Sequence, residues 1–349
     1  MLKAILLSLV TLMTFSAYAQ WENPSERYTD VYKNYLGASC PIDTNNIKHF
    51  VYFARDRSAL YEHSFLTNPR FSGAQIMYPW AQLEPTEGNY DFSVIEQDYE
   101  YLSSYGKTLF IQLQDATFTL QYNAVPAYMN SETYADGAIM QRNDEGEPEG
   151  WTAKRWNQNV QTRFSALLVA LGNQFDGRIE GINLQETSIG VTEDYDDTFT
   201  PDVYADAVKA NMLALKNAFP QSVAMQYANF MPGEWLPWED QGYLSSIYAY
   251  GEEIGVGLGA PDLMVTRKGQ LNHALAMMHE TDLNVPLGIA VQDGNYIGQT
   301  NTTTVVNNRD NLVPLLHAFA ENFLDVDYMF WVNQAPYFSQ DVLPCFSDF

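Results

Sequence analysis

Eight short apolar runs, rich in β-branched and aromatic residues, recur along this chain at 49–54, 73–78, 108–114, 179–185, 222–228, 256–258, 286–291 and 328–332. Between most of them the period changes from two toward 3.6, and helices are predicted at about 94–105, 157–174, 201–219, 242–253, 269–280 and 309–323. Phe164, Leu167, Leu168 and Leu171 make an apolar stripe at helical spacing. Thr200-Pro201-Asp202 supplies an N-cap, a proline at the first helical position and an acid in the first turn. The sixth run is the thinnest, because Gly255, Gly257 and Gly259 leave it few side chains.

Strands alternating with helices predict a parallel sheet, and eight strands with no half left over predict closure into a (β/α)8 TIM barrel. No repeat period and no long linker divides the chain, so one barrel domain is expected over residues 20–349, with a short extension before its first strand. Three connections are long: 116–150 after the third strand, 187–200 after the fourth and 294–308 after the seventh. Loops of that length in a compact domain are commonly binding walls.

The first 19 residues read as a secretory leader. Lys3 provides the positive end, residues 4–13 the apolar core, and Ala17-Tyr18-Ala19 the small-residue cleavage site before Gln20. That apolar stretch is too short to span a bilayer, and no later stretch reaches ~18 uninterrupted apolar residues, so membrane insertion is not expected and the protein should be secreted or periplasmic. The sequence carries 43 acidic residues against 18 basic ones, a formal net charge of −25. Such a surface repels nucleic acid and anionic membranes. Two cysteines, Cys40 and Cys345, flank the first and eighth strands. In an exported barrel these strands are neighbours, and one disulfide between them is expected.

The run Tyr78-Pro79-Trp80-Ala81-Gln82-Leu83-Glu84-Pro85, followed by Glu87-Gly88-Asn89-Tyr90-Asp91-Phe92, resembles the second-strand region of the β-galactosidase, cellulase and endoglycanase superfamily of barrel glycoside hydrolases. Gly106-Lys107, Trp156-Asn157, Asp176-Gly177-Arg178 and a fourth strand ending in Glu186 continue that pattern. The resemblance implies catalysis by two carboxylates at C-terminal strand ends: Glu186 on the fourth strand as acid/base, and Asp293 on the seventh as nucleophile or base. It also implies an aromatic platform at Trp331, with Trp80 beside it, under a carbohydrate substrate. Gln185, Asn229, Gln292 and Asn333 stand at strand ends where their amides could bind sugar hydroxyls. Glu84, before Pro85, is expected instead to accept backbone N–H groups.

Two departures stand out. Gln185 precedes Glu186 where the superfamily has Asn, and the seventh strand supplies Asp in place of Glu. Asp is one methylene shorter, which widens a facing pair by ~1 Å and leaves open both the retaining spacing of ~5–5.5 Å and the inverting spacing of ~6.5–9.5 Å. Asp115 and Asp262, at the ends of the third and sixth strands, are rival second carboxylates.

Other chemistries find little support. No cofactor and no metal are expected, since five histidines are scattered without ligand spacing and the acidic run 193–197 lacks the glycine and spacing of a calcium loop. Gly255-Val256-Gly257-Leu258-Gly259-Ala260 fits a dinucleotide fingerprint in form only, because Pro261 follows and no helix opens there. No nucleophile elbow is present. The competing expectation is a non-catalytic carbohydrate-binding barrel that keeps the cleft without the chemistry.

Overall fold

The computed structural model describes residues 27–292, 295 and 311–347. The expected leader 1–19, Asp293 and most of the expected 294–308 connection lie outside the described residues. Eight parallel strands close into a barrel: β1 (Lys48–Tyr52), β2 (Phe71–Pro79), β3 (Thr108–Gln114), β7 (Gly181–Leu184), β8 (Val223–Tyr227), β9 (Gly257–Ala260), β10 (Leu287–Val291) and β11 (Tyr328–Val332). These are the eight runs of the sequence pattern, so β7 to β11 are the fourth to eighth barrel strands. The barrel closes through β1 and β11, paired from Lys48 opposite Tyr328 to Tyr52 opposite Val332. The protein is a (β/α)8 TIM barrel.

Helices α1 (Trp80–Leu83), α2 (Ser93–Ser104), α3 (Gln158–Phe175), α4 (Pro201–Ala218), α5 (Tyr243–Ile254), α6 (Lys268–Leu271), α7 (Ala274–Glu280) and α8 (Leu312–Asn322) follow the strands. The stripe on α3 is fully buried, and Asn157 caps that helix by accepting from the N–H groups of Asn159 and Val160. Thr200 caps α4 on Val203 N. The single helix expected over 269–280 is divided at Asn272 and His273. There the imidazole Nε2 of His273 lies 2.8 Å from Glu234 Oε1, and this tertiary contact prevails over helix continuity. No helix among the described residues is long and apolar enough to cross a membrane.

Strand alternation sorts side chains onto two faces. Phe50, Tyr52, Phe110, Met225, Tyr227, Tyr328 and Phe330 pack against one another inside the barrel, while Val51, Ile111 and Trp331 join the core under the helices. The glycines of the thin strands make room for these rings. A Cβ on Gly181 would come within 2.8 Å of the Phe110 ring, and one on Gly259 within 3.0 Å of the Tyr227 ring.

Sequence pattern missed one insertion. After β3 the chain forms a three-stranded antiparallel sheet of β4 (Ala116–Thr117), β5 (Ala138–Arg142) and β6 (Pro148–Ala153), in the order β4-β6-β5, where only a loop was expected. Cys40 and Cys345 are joined, with Cα atoms 4.7 Å apart across 305 residues. Ile42 N donates to Cys345 O beside them, so the segments before β1 and after β11 are tied together. In the chain-entropy view a cross-link of this length stabilises by at most about 5–6 kcal/mol.

Candidate active site

The C-terminal rim of the barrel is the functional face of this architecture, and the backbone around Glu186 there is held from several sides. Arg155 is buried and forms a two-pronged pair with Asp115, with Nε to Oδ2 and Nη2 to Oδ1 both at 2.8 Å. Its remaining nitrogen, Nη1, donates to Glu186 O at 2.9 Å and to Tyr204 OH at 2.7 Å. Tyr204 in turn donates to Thr187 O, and Thr187 N donates to Tyr227 O. Gln185 turns inward, its side-chain oxygen accepting from Ala116 N, while Gln226 Nε2 donates to its carbonyl at 2.6 Å.

The Glu186 side chain itself is half-buried, and Asn229 Nδ2 donates to its Oε2 at 2.6 Å. Its carboxyl is pushed up to about 7. Burial is the main cause; the Asn229 hydrogen bond opposes it, the Asp262 charge adds to it, Arg155 opposes it and Glu149 adds a last increment. A carboxyl so placed holds its proton near neutral pH and can give it up, which is the requirement on a general acid.

Inward-facing residues at the top of the barrel make the floor beneath Glu186. Tyr52 of β1 and Tyr227 of β8 are buried there. Burial pushes the Tyr52 phenol upward, and the neighbouring Tyr227, Glu186, Tyr122 and Asp262 push it further. Gln75 of β2 donates to both Tyr227 OH (3.0 Å) and Asn183 Oδ1 (2.9 Å), which fixes the floor from below. On the β3 side Tyr122 exchanges hydrogen bonds with Gln114, and the Arg55 guanidinium lies 3.6 Å from the centre of its ring.

The expected site residues divide. Glu186 and Asn229 are brought together. Gln292 lies at the rim but donates to Pro261 O, and Asn333 accepts at Oδ1 from the His63 ring while its N–H donates to Tyr52 O, so both brace the rim. Asp293 lies outside the described residues. Asp115 is committed to Arg155, which removes it as a rival second carboxylate.

Trp80 and Trp331 are not sugar platforms: both are completely buried. Trp80 packs edge-on against Phe164 and donates from Nε1 to Glu84 Oε2, and Glu84 also accepts from Gly88 N and pairs with Arg163. Glu84 is thus the internal acceptor expected of it. Trp331 points out of the barrel, donating from Nε1 to His49 Nδ1 at 3.2 Å and packing against Phe346. The reason is register: Tyr328 and Phe330 occupy the inward positions of β11, so alternation turns Trp331 toward the helices. Trp331→Ala should therefore lower unfolding stability by about 3–5 kcal/mol in urea titrations, as for core aromatics.

Tyr52, Tyr227 and Arg155 were missed. The alternation Phe50-Val51-Tyr52 could have placed Tyr52 inward; nothing local marks Arg155, whose partners are 31 to 49 residues away in sequence. Phe118 and Trp238, on connections after β3 and β8, are exposed at 49% and 57% and are better placed to meet a ligand than the two buried tryptophans. Among the described residues, Glu234, Asp240 and His273 are close enough to share a cation. Glu234, however, already accepts from the N–H groups of Gln241, Tyr243 and Leu244, so the group caps the start of α5. In the acidic run 193–197, Asp196 pairs with Lys154 and accepts from Thr198 N.

No protein-family model matches the sequence, and no curated protein is significantly similar to it. Solved structures do match. The catalytic domain of a β-amylase from Paenibacillus polymyxa superposes with a TM-score of 0.56 at 8% identity, over 84% of this chain and 93% of its own. The shared feature is the barrel. A GH5_18 protein from Streptomyces cattleya, in complex with GlcNAc, gives a TM-score of 0.52 at 12% identity, over 83% of this chain and 71% of its own. A family 39 glycoside hydrolase from Bacteroides cellulosilyticus gives 0.50 at 12%, over 82% of this chain and 56% of its own.

Proposed function

We propose that this protein is an exported glycoside hydrolase that cleaves a poly- or oligosaccharide, with Glu186 as the proton donor to the leaving-group oxygen. One observation carries the reading: a carboxyl at the end of the fourth barrel strand, half-buried, held by Asn229 and raised to about 7. The barrel neighbours named as glycoside hydrolases support it, as does the matching of Glu186 to the superfamily pattern. Asn229 contributes twice. Its amide nitrogen orients Glu186, and its Oδ1 is buried without a partner among the described residues, ready to accept from a sugar hydroxyl. The second carboxylate of the reaction is Asp262, which follows β9, or Asp293, which lies outside the described residues. The disulfide and the leader-like first 19 residues support export.

A survey of sugar release from β-glucans, galactans, mannans and algal polysaccharides tests the reading. Glycan binding without release would make the protein a carbohydrate-binding barrel instead. On an active substrate, kcat/KM should fall about tenfold per pH unit above about 7, because the acid must be protonated and loses its proton there. Asn229→Ala should move this alkaline limb upward, since it removes a hydrogen bond that favours the ionised form. A pH–rate profile flat from 5 to 9 in the parent would remove Glu186 from the role.

A further inference from the structure

Asp262 stands just past β9, and its surroundings differ from those of Asp115. The segment that carries it is fixed by three amide side chains. Gln270, fully buried on α6, donates from Nε2 to Asp262 O at 2.8 Å and accepts at Oε1 from Met264 N at 3.2 Å. Gln292, at the end of β10, donates to Pro261 O at 2.9 Å, and Asn295 accepts from Leu263 N while also accepting from Gln292 N. Pro261 and Leu263 are buried on either side, whereas Asp262 is only half-buried. The backbone is therefore held on both sides of Asp262, while its side chain stays partly open to solvent.

Three groups feel the carboxylate's charge. Its charge acts on Tyr52 of β1, on Tyr227 of β8 and on Glu186 after β7, which surround the top of the barrel from different sides. Those three groups stand at the top of the barrel, at the same rim on which Asp262 follows β9. The division of α6 from α7 now has a use, because it leaves Gln270 on a short turn where its amide reaches the 262–264 segment.

Resting on the hydrolase reading above, we propose that Asp262, presented by the sixth strand, is the ionised partner of Glu186 and acts as the general base on water. Strands β7 and β9 are separated by one strand, which at ~4.8 Å per step sets their backbones ~9–10 Å apart; side chains reaching over the mouth from both shorten the gap between carboxyls toward the ~6.5–9.5 Å that an inverting pair needs to hold a water. In the step, an Asp262 oxygen takes a proton from water while the water oxygen bonds to the anomeric carbon. The glycosidic C–O bond breaks and its electron pair goes to the leaving oxygen, which receives the proton of Glu186. Loss of the Asp262 proton to solvent and protonation of Glu186 from solvent restore the starting state.

The test uses the full-length parent and Asp262→Asn on whichever glycan the survey finds. Asp262→Asn should lose roughly 10²–10⁴-fold in kcat with an unchanged melting curve. The first-formed sugar from the parent, followed by NMR, should carry the inverted anomer. In Asp262→Asn, the titration midpoint of isotope-labelled Glu186 should fall, because a negative neighbour has been removed. The proposal is overturned by kcat within tenfold of the parent, by retention at the anomeric carbon, by an unmoved Glu186 midpoint, or by Asp293→Asn collapsing while Asp262→Asn holds. A parent inactive on every glycan would overturn the hydrolase reading itself, and with it this role. Should Asp262→Asn unfold, Asp262→Glu serves in its place: its longer side chain narrows the gap that must hold the water, so rate is lost while the fold is kept.

Discussion

Glu186→Gln should leave a folded barrel that has lost roughly 10²–10⁴-fold in kcat/KM on substrates with poor leaving groups, the range expected on removing a general acid. Substrates whose leaving group departs without a proton should suffer far less, and that contrast separates loss of acid catalysis from loss of folding. Stability should change in the opposite direction to activity. The Glu186 carboxyl is raised above its unfolded value mainly by burial, so its contribution to stability is complete at low pH and is lost as pH rises through about 7. The uncharged glutamine escapes that loss, so thermal melting at pH 8 should show the variant at least as stable as the parent. Activity within threefold of the parent on poor leaving groups would overturn the assignment.

The second large effect is expected at Arg155→Met. Arg155 and Asp115 are each about 5% exposed, and removing the guanidinium strands the Asp115 carboxylate in the interior. Breaking a buried pair from one side costs about 3–5 kcal/mol, and urea unfolding at pH 7 should show a loss of that size. The double variant Asp115→Leu/Arg155→Met should recover part of it, because no orphaned charge remains. The residual defect then reports what Arg155 gives to the Glu186 carbonyl and to Tyr204, and it should appear as lower kcat on an active substrate. A loss below 1 kcal/mol in the single variant would mean that water reaches the pair.

The barrel was legible in the sequence because its signals are local. Each strand is a short apolar run, most helices are amphipathic stretches, and the cap at Thr200 is visible in three residues. The β4-β6-β5 sheet escaped because the turn that joins β5 to β6, Asp144-Glu145-Gly146-Glu147, reads as an acidic loop, and its pairing depends on Thr117 and Trp151 meeting across 34 residues. At the candidate site, the position of Glu186 just past the fourth strand was legible from the end of an apolar run. The tryptophans misled because aromatic residues at strand ends are equally suited to a cleft and to a core. Only the register of β11, in which Phe330 takes the inward position, decides for Trp331. Asp115 looked like a rival because nothing near it in sequence announces Arg155, 40 residues on.

The bond between Cys40 and Cys345 turns the stretch between them into a covalent ring that contains all eight barrel strands. A single peptide cut anywhere in that ring opens it without releasing a fragment, so the two halves stay joined and in register. Exposed loop tips such as Phe118–Leu120 and Trp238 are natural places for such a cut. In the exported setting proposed above, a once-nicked molecule would stay in one piece until a reductant separated the halves, and two cuts would be needed before any part of the ring could leave.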